Sequence, residues 1–257
     1  MPTATEEPND DDPITLDALT SRFSVHQRAR GHRFSVDDRT TAFVAGTIAK
    51  KLRPARVLDL GTGIGSVLLM IASVLDDAQM VGIEAQEGSF ELLRKNVKVN
   101  GLEARTTVLF GDLRERVYEL PARSFELVTG TPPYLPVGTA TPSPDAQRAA
   151  ARLELRGGIE AYLLAAAHAV TDDGHVVVCA DGRTPGRTLA AARAAKLVAT
   201  HAVHVVAREG DVGPLFSVWT VARQSPHALE ETRLVQRDAA GERTPESLEV
   251  MRFFGLT

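Results

Sequence analysis

The chain has 257 residues, of which 44% are hydrophobic and 24% charged, and a formal net charge of −4. That is enough apolar material for one large α/β domain. A single cysteine, Cys179, excludes an intramolecular disulfide and a Cys-rich metal site, and no run of about 18 apolar residues is available to span a membrane.

Residues 1–13 are acidic, polar and Pro-containing, so they are expected to be disordered. Residues 14–56 read as a basic, helical segment that caps the site built by the loops behind it. From residue 21 to 56 it carries Arg22, Arg28, Arg30, Arg33, Arg39, Lys50, Lys51, Arg53 and Arg56 against only Asp37 and Asp38. Such a stretch is either a local nucleic-acid surface or a solvated helix face. Within it, Ala42, Val44, Ala45, Ile48 and Leu52 recur at helical spacing, which predicts a helix over 36–52 that Pro54 ends.

From residue 56 the pattern alternates. Strands are expected at 56–60, 80–84, 106–110, 125–129 and 175–180, with helices at 65–75, 89–100, 154–170 and 188–197. Two further strands, 201–207 and 215–222, lack room for a crossover helix and should pair antiparallel. Residues 57–223 then form the core. Residues 224–257 are an extension with a short helix over 245–254. The expected fold is α/β and Rossmann-like: a mostly parallel seven-stranded sheet, its last strand antiparallel, with helices on both faces. Trp219, on the last strand, reads as a packing residue.

Two loops carry the chemistry. The first, Asp59-Leu60-Gly61-Thr62-Gly63-Ile64-Gly65, joins a strand to a helix, and its glycines let the chain turn tightly beneath a ligand. A dinucleotide fingerprint would want a third glycine where Ser66 stands. Glu84 ends the next strand, where a carboxylate can accept from both hydroxyls of a ribose. Ala85 follows it. Asp112, before Leu113, can bond an adenine amino group or cap a helix. The second loop, Gly130-Thr131-Pro132-Pro133-Tyr134, follows the fourth strand on the ligand-facing side, and its prolines make it stiff. The seven histidines show no metal-ligand spacing, so no metal is expected.

With these residues in hand the chain resembles the amino-methylating class I enzymes with an Asn/Asp-Pro-Pro-Tyr loop. Within them it is most similar to the bacterial tRNA(Val) adenine-N6 methyltransferase family. Three segments carry the resemblance: 31–37 (GHRFSVD), the 57–65 loop, and the Pro-Pro-Tyr loop with its sequel at 148–154 (RAAARLE). It implies a class I methyltransferase fold, S-adenosylmethionine as cofactor, and tRNA or other RNA as partner. Asp59, Gly61, Thr62, Gly63, Gly65, Glu84, Ala85, Asp112 and Leu113 would bind the cofactor. Thr131, Pro132, Pro133 and Tyr134 would form the catalytic loop, with Tyr134 stacked on the base. Arg33, Phe34, Arg148 and Arg152 would meet the substrate. The chain departs from the family at Thr131, where the family has Asn or Asp; a hydroxyl is shorter and offers one rotating O–H. A small-molecule or protein-glutamine methyltransferase and a silent cofactor-binding module stand as alternatives. The lone cysteine and the acidic N-terminus, which lacks a secretory pattern, lead to an expected cytoplasmic location.

Overall fold

The computed structural model describes residues 12–139, 141 and 143–256. Most of the acidic tail therefore lies outside the described residues. Its last two residues are tied down: Asp12 accepts from the Arg30 amide at 2.9 Å and pairs with Arg28 at 3.1 Å, and the Pro13 carbonyl accepts from Ala29 N at 2.8 Å.

The basic segment is helical only in its second half. In place of a helix, β1 (Ile14–Ala18) and β2 (Ser24–Arg28) form a two-stranded antiparallel hairpin. Burial along β2 alternates, with Val25 and Gln27 inward, which is a period of two and not of 3.6. Then comes α1 (Val36–Leu52), which stops at Arg53, a residue at φ 49° directly before Pro54.

The main sheet has eight strands: β3 (Arg56–Leu60), β4 (Gln79–Glu84), β5 (Thr106–Phe110), β6 (Phe125–Gly130), β7 (Val170–Asp181), β8 (Val198–Arg208), β9 (Phe216–Ala222) and β10 (Glu230–Arg237). Their order is β10-β8-β9-β7-β6-β3-β4-β5. Every pairing is parallel except those of β9, which runs antiparallel to both β7 and β8. The seven strands expected from sequence are all present. β10 is an addition on the outer edge, parallel to β8. Its sequence, EETRLVQR, buries only Leu234, so it carries no apolar alternation; an edge strand tolerates such charge.

The helices are α2 (Ser66–Ala72), α3 (Glu87–Val99), α4 (Leu113–Arg116), α5 (Ala146–Arg152), α6 (Ile159–Ala169), α7 (Pro185–Ala194) and α8 (Pro245–Phe253). Alternate strand residues divide the core between two faces. Val57, Leu127, Val177 and Val218 pack with α1, α2, α3 and α8. Leu58, Val128, Val176, Val178 and Trp219 pack with α4, α6 and α7. Trp219 is fully buried there, as a packing residue.

The helix expected over 154–170 is shorter, starting only at Ile159 as α6. Gly157 adopts φ 95°, Gly158 precedes the first turn of α6, and Glu154 N donates to the Leu135 carbonyl at 2.9 Å. That bond and a bridge between Leu135 and Leu153 hold residues 153–158 against the Pro-Pro-Tyr loop, so the chain there is not helical. A separate short helix, α5, precedes it.

Candidate active site

β3 has β4 on one side and β6 on the other, so the chain leaves it in one direction and later returns in the other. Ligands of open α/β sheets bind at such a switch point, beyond the carboxyl ends of the strands. A cleft opens there. It is lined by Gly61, Thr62, Gly63, Glu84, Ala85, Asp112 and Leu113 from the β3, β4 and β5 loops, and by Thr131 and Pro133 from the β6 loop. Phe34 and Asp38 close it from the N-terminal side, and Gln147 and Arg156 from α5 and its sequel.

The glycine loop has the geometry its composition requires. Gly61 and Gly63 both sit at φ 58° and Gly65 at φ 92°, where L side chains are strained. A side chain at Gly63 would meet nothing within 4 Å, so its backbone faces open space, whereas at Gly65 a Cβ would strike Leu93 at 2.7 Å. Gly63 thus serves the cleft and Gly65 serves packing. The Gly63 amide donates to Glu84 Oε2 at 2.8 Å and the Gln86 amide to Oε1 at 2.6 Å. These bonds fix the carboxylate at the cleft wall and leave it lone pairs to accept hydroxyls. Burial pushes the Glu84 carboxyl above its ordinary range.

Asp59 does not line the cleft. It is 1% exposed beneath the loop, accepting from Thr62 Oγ1 at 2.5 Å and Thr129 Oγ1 at 2.7 Å. Burial raises its pKa to about 6, against the lowering effect of those two hydroxyls. Asp38, from the first turn of α1, is also buried, though it reaches the cleft wall, and takes an N–H from Ser35 at 3.0 Å. Burial and then the neighbouring Asp37 raise it to about 7, with Asp59 adding to the effect. Asp112 caps α4 by accepting from Arg114 N at 2.9 Å. Burial works to raise it, but the Arg114 hydrogen bonds and charge hold it below the usual carboxylate range.

On the second loop, Thr131 Oγ1 lies 3.4 Å from Asp38 Oδ1, so a hydroxyl and a carboxylate share one wall. Pro132 and Tyr134 face a small neighbouring cavity with Glu154 and Arg187. The Tyr134 hydroxyl donates to Asp37 Oδ2 at 3.0 Å and contacts Cys179 Sγ. Burial, then Cys179 and Asp37, keep that phenol protonated. Phe34 lines the cleft, but the Arg33 guanidinium turns away to Thr15 and Asp17, both at 3.1 Å. Arg148 and Arg152 are exposed on α5 with no ion-pair partner among the described residues, outside the cleft lining. The sequence reading missed Asp38, Gln147, Arg156 and Tyr162 as lining residues. Asp38 and Gln147 lie beside or within the segments that carried the resemblance, but Tyr162 stands in an Ala/Leu-rich helix that gives no signal.

Residues 32–158 match the family described as Methyltransferase small domain. The chain carries a class I methyltransferase domain. Its cofactor is S-adenosylmethionine, and the cleft fits one, with open backbone at Gly63 and a fixed, accepting carboxylate at Glu84. The domain is 25% identical over 218 residues to a tRNA1(Val) (adenine(37)-N6)-methyltransferase of Actinobacillus pleuropneumoniae serotype 5b, covering 84% of this chain and 89% of that one. It is 32% identical over 120 residues to a release factor glutamine methyltransferase of Geobacter sulfurreducens, covering 46% of this chain and 40% of that one. A predicted O-methyltransferase from Agrobacterium tumefaciens has the same fold, with TM-score 0.65 at 18% identity over 84% of this chain and 97% of that one. The chain spans only 40%, 47% and 62% of the length of three of the curated relatives it matches. Among the described residues, no helix is long and apolar enough to cross a membrane, and no group of three or more His, Cys, Asp or Glu could hold a metal.

Proposed function

We propose that this chain transfers the methyl group of S-adenosylmethionine to the exocyclic N6 amine of an adenine in tRNA, in the cytoplasm. The observation that carries the reading is the pairing of a stiff Pro-Pro loop against the glycine loop with unpaired arginines on the rim of the same cleft. The cofactor supplies an electrophilic methyl on a positively charged sulfur. The protein's task is positioning, because the adenine amine is a poor nucleophile whose lone pair is delocalised into the ring. Thr131 Oγ1 accepts one N–H of the amine, and a loop carbonyl accepts the other, which turns the nitrogen lone pair toward the methyl. Asp38, beside Thr131, is the nearest carboxylate to receive the proton lost after transfer.

The rim supports RNA as the partner. Four of the seven arginines of the N-terminal basic stretch are neutralised: Arg22 by Asp76, Arg28 by Asp12 and Asp145, Arg30 by Asp12, and Arg33 by Asp17. Arg148 and Arg152, one helical turn apart on α5, stay free to contact phosphates, and Arg156 after them lines the cleft with its charge acting on Glu84 and Asp112. The catalytic loop, the cofactor contacts and these arginines form the site of the proposal, with Arg33 left out because its guanidinium is taken.

A second reading has one observation in its favour, the match to glutamine methyltransferases of release factor and ribosomal protein. A glutamine carboxamide offers the same delocalised NH2. One experiment separates the two: labelled methyl is supplied with total tRNA lacking its own modification, and separately with release factor. Label in N6-methyladenosine supports the RNA reading. Label in glutamine with none in RNA would replace it.

A further inference from the structure

The cleft has a polar group on its floor that neither loop supplies. Tyr162 lies on α6, with only 6% of its surface exposed, and it lines the cleft from below. Its ring occupies space that two glycines leave open. A Cβ at Gly61 would fall 2.0 Å from the Tyr162 hydroxyl oxygen, and a Cβ at Gly130 would fall 2.7 Å from the ring. Gly61 follows the last residue of β3, and Gly130 pairs with that residue, Leu60, from β6. The tyrosine therefore fills the gap between the two strands at the switch point itself.

The hydroxyl has no hydrogen-bond partner among the described residues. The oxygen is not sealed off: it opens onto the cleft, where a ligand atom or water can complete its bonding. Three carboxyls, Glu84, Asp59 and Asp112, surround it, and burial first and these charges next raise its pKa. The phenol is thus neutral at every working pH and keeps both a proton and lone pairs. Three carboxyls against the cation Arg156, which acts on Glu84 and Asp112, leave a net negative field that draws cations, and the phenol's lone pairs suit a cationic N–H donor.

We propose that the Tyr162 hydroxyl binds the amino-acid end of S-adenosylmethionine, accepting a hydrogen bond from its α-ammonium, and that Gly61 and Gly130 are glycines to admit it. The assignment rests on the cofactor-site reading and is independent of the methyl acceptor.

The test is Tyr162→Phe, which removes one oxygen and keeps the ring in its cradle. Dissociation constants are measured by calorimetry for S-adenosylmethionine, S-adenosylhomocysteine and 5′-methylthioadenosine, the last lacking the amino-acid end. A hydrogen bond to a charged group is worth about tenfold or more in affinity. The expected result is a loss of about tenfold for the first two ligands, less than about twofold for methylthioadenosine, and an unchanged melting temperature without ligand. Equal weakening of all three ligands, or no weakening, overturns the tyrosine's role. A wild type that binds none of the three overturns the cofactor site as well.

Discussion

Asp38 and Asp59 are two buried carboxyls with no ion-pair partner among the described residues, and their elevated pKa values have consequences that can be measured. A group whose folded pKa is raised stabilises the fold below its unfolded pKa, near 3.9, and that contribution is lost as pH rises through the folded value. For Asp59 the loss runs from about pH 4 to about 6, and for Asp38 to about 7. Asp38→Asn is therefore expected to melt several degrees above wild type at pH 8, with the gap closing toward pH 4. Parallel melting curves at every pH would contradict this. The same ionisation matters for the ligand. A cationic cofactor favours ionised neighbours, so wild-type affinity for S-adenosylmethionine should tighten as pH passes from about 6 to 7.5. Equal dissociation constants at pH 5.5 and pH 8 would refute the link.

At the scale of elements, one residue ties the N-terminal hairpin to the glycine loop. Asn96 of α3 is fully buried; its Oδ1 accepts from His26 N at 2.6 Å, and its Nδ2 donates to the carbonyls of His26 at 3.0 Å and Ile64 at 2.9 Å. Three bonds thus join β2, α3 and the glycine loop. Gln147 makes the matching link on the roof, taking the His32 amide at 3.1 Å and donating to Ser89 Oγ at 3.1 Å. Removing a buried group that satisfies several backbone atoms costs about 2–4 kcal/mol, because the partners are left unpaired. Asn96→Ala is expected to lower stability by about that much in urea unfolding and to weaken cofactor binding through the Ile64 carbonyl. Lost stability with unchanged cofactor affinity would mean that the hairpin and the loop are not coupled. At the far edge, α8 performs a similar service: Phe253 packs on Phe43 at 5.1 Å and Lys50 lies 3.9 Å from its ring, so the C-terminal extension backs the helix that carries Asp38.

On the scale of the whole molecule, net charge is a poor guide to partners. The chain is acidic overall, yet three exposed arginines, Arg148, Arg152 and Arg156, lie in or beside the cleft. If these meet phosphates, each Arg→Ala change should weaken tRNA binding and reduce the slope of log affinity against log salt by about 1. Titrations at several salt concentrations measure this. Slopes identical to wild type for all three variants would remove RNA contact from this rim.

The strand–helix alternation from residue 56, the antiparallel return at the end, the glycine loop and the Pro-Pro-Tyr loop were all legible in the sequence. They depend on local causes: periodicity, chain length between strands, and backbone conformations that few residues other than glycine or proline accept. Tertiary structure alone decided the rest. The 14–28 hairpin and β10 are short and polar, and they exist because α3 and the sheet edge offer partners. Arg33 looked like a substrate contact until Asp17, across the hairpin, took its charge. Asp59 was assigned to the cofactor but is sealed beneath the loop by Thr129, a residue 70 positions away. Tyr162 comes to the cleft from a helix with no motif, since a residue's place in a site depends on what faces it, and that is fixed only when distant strands pair.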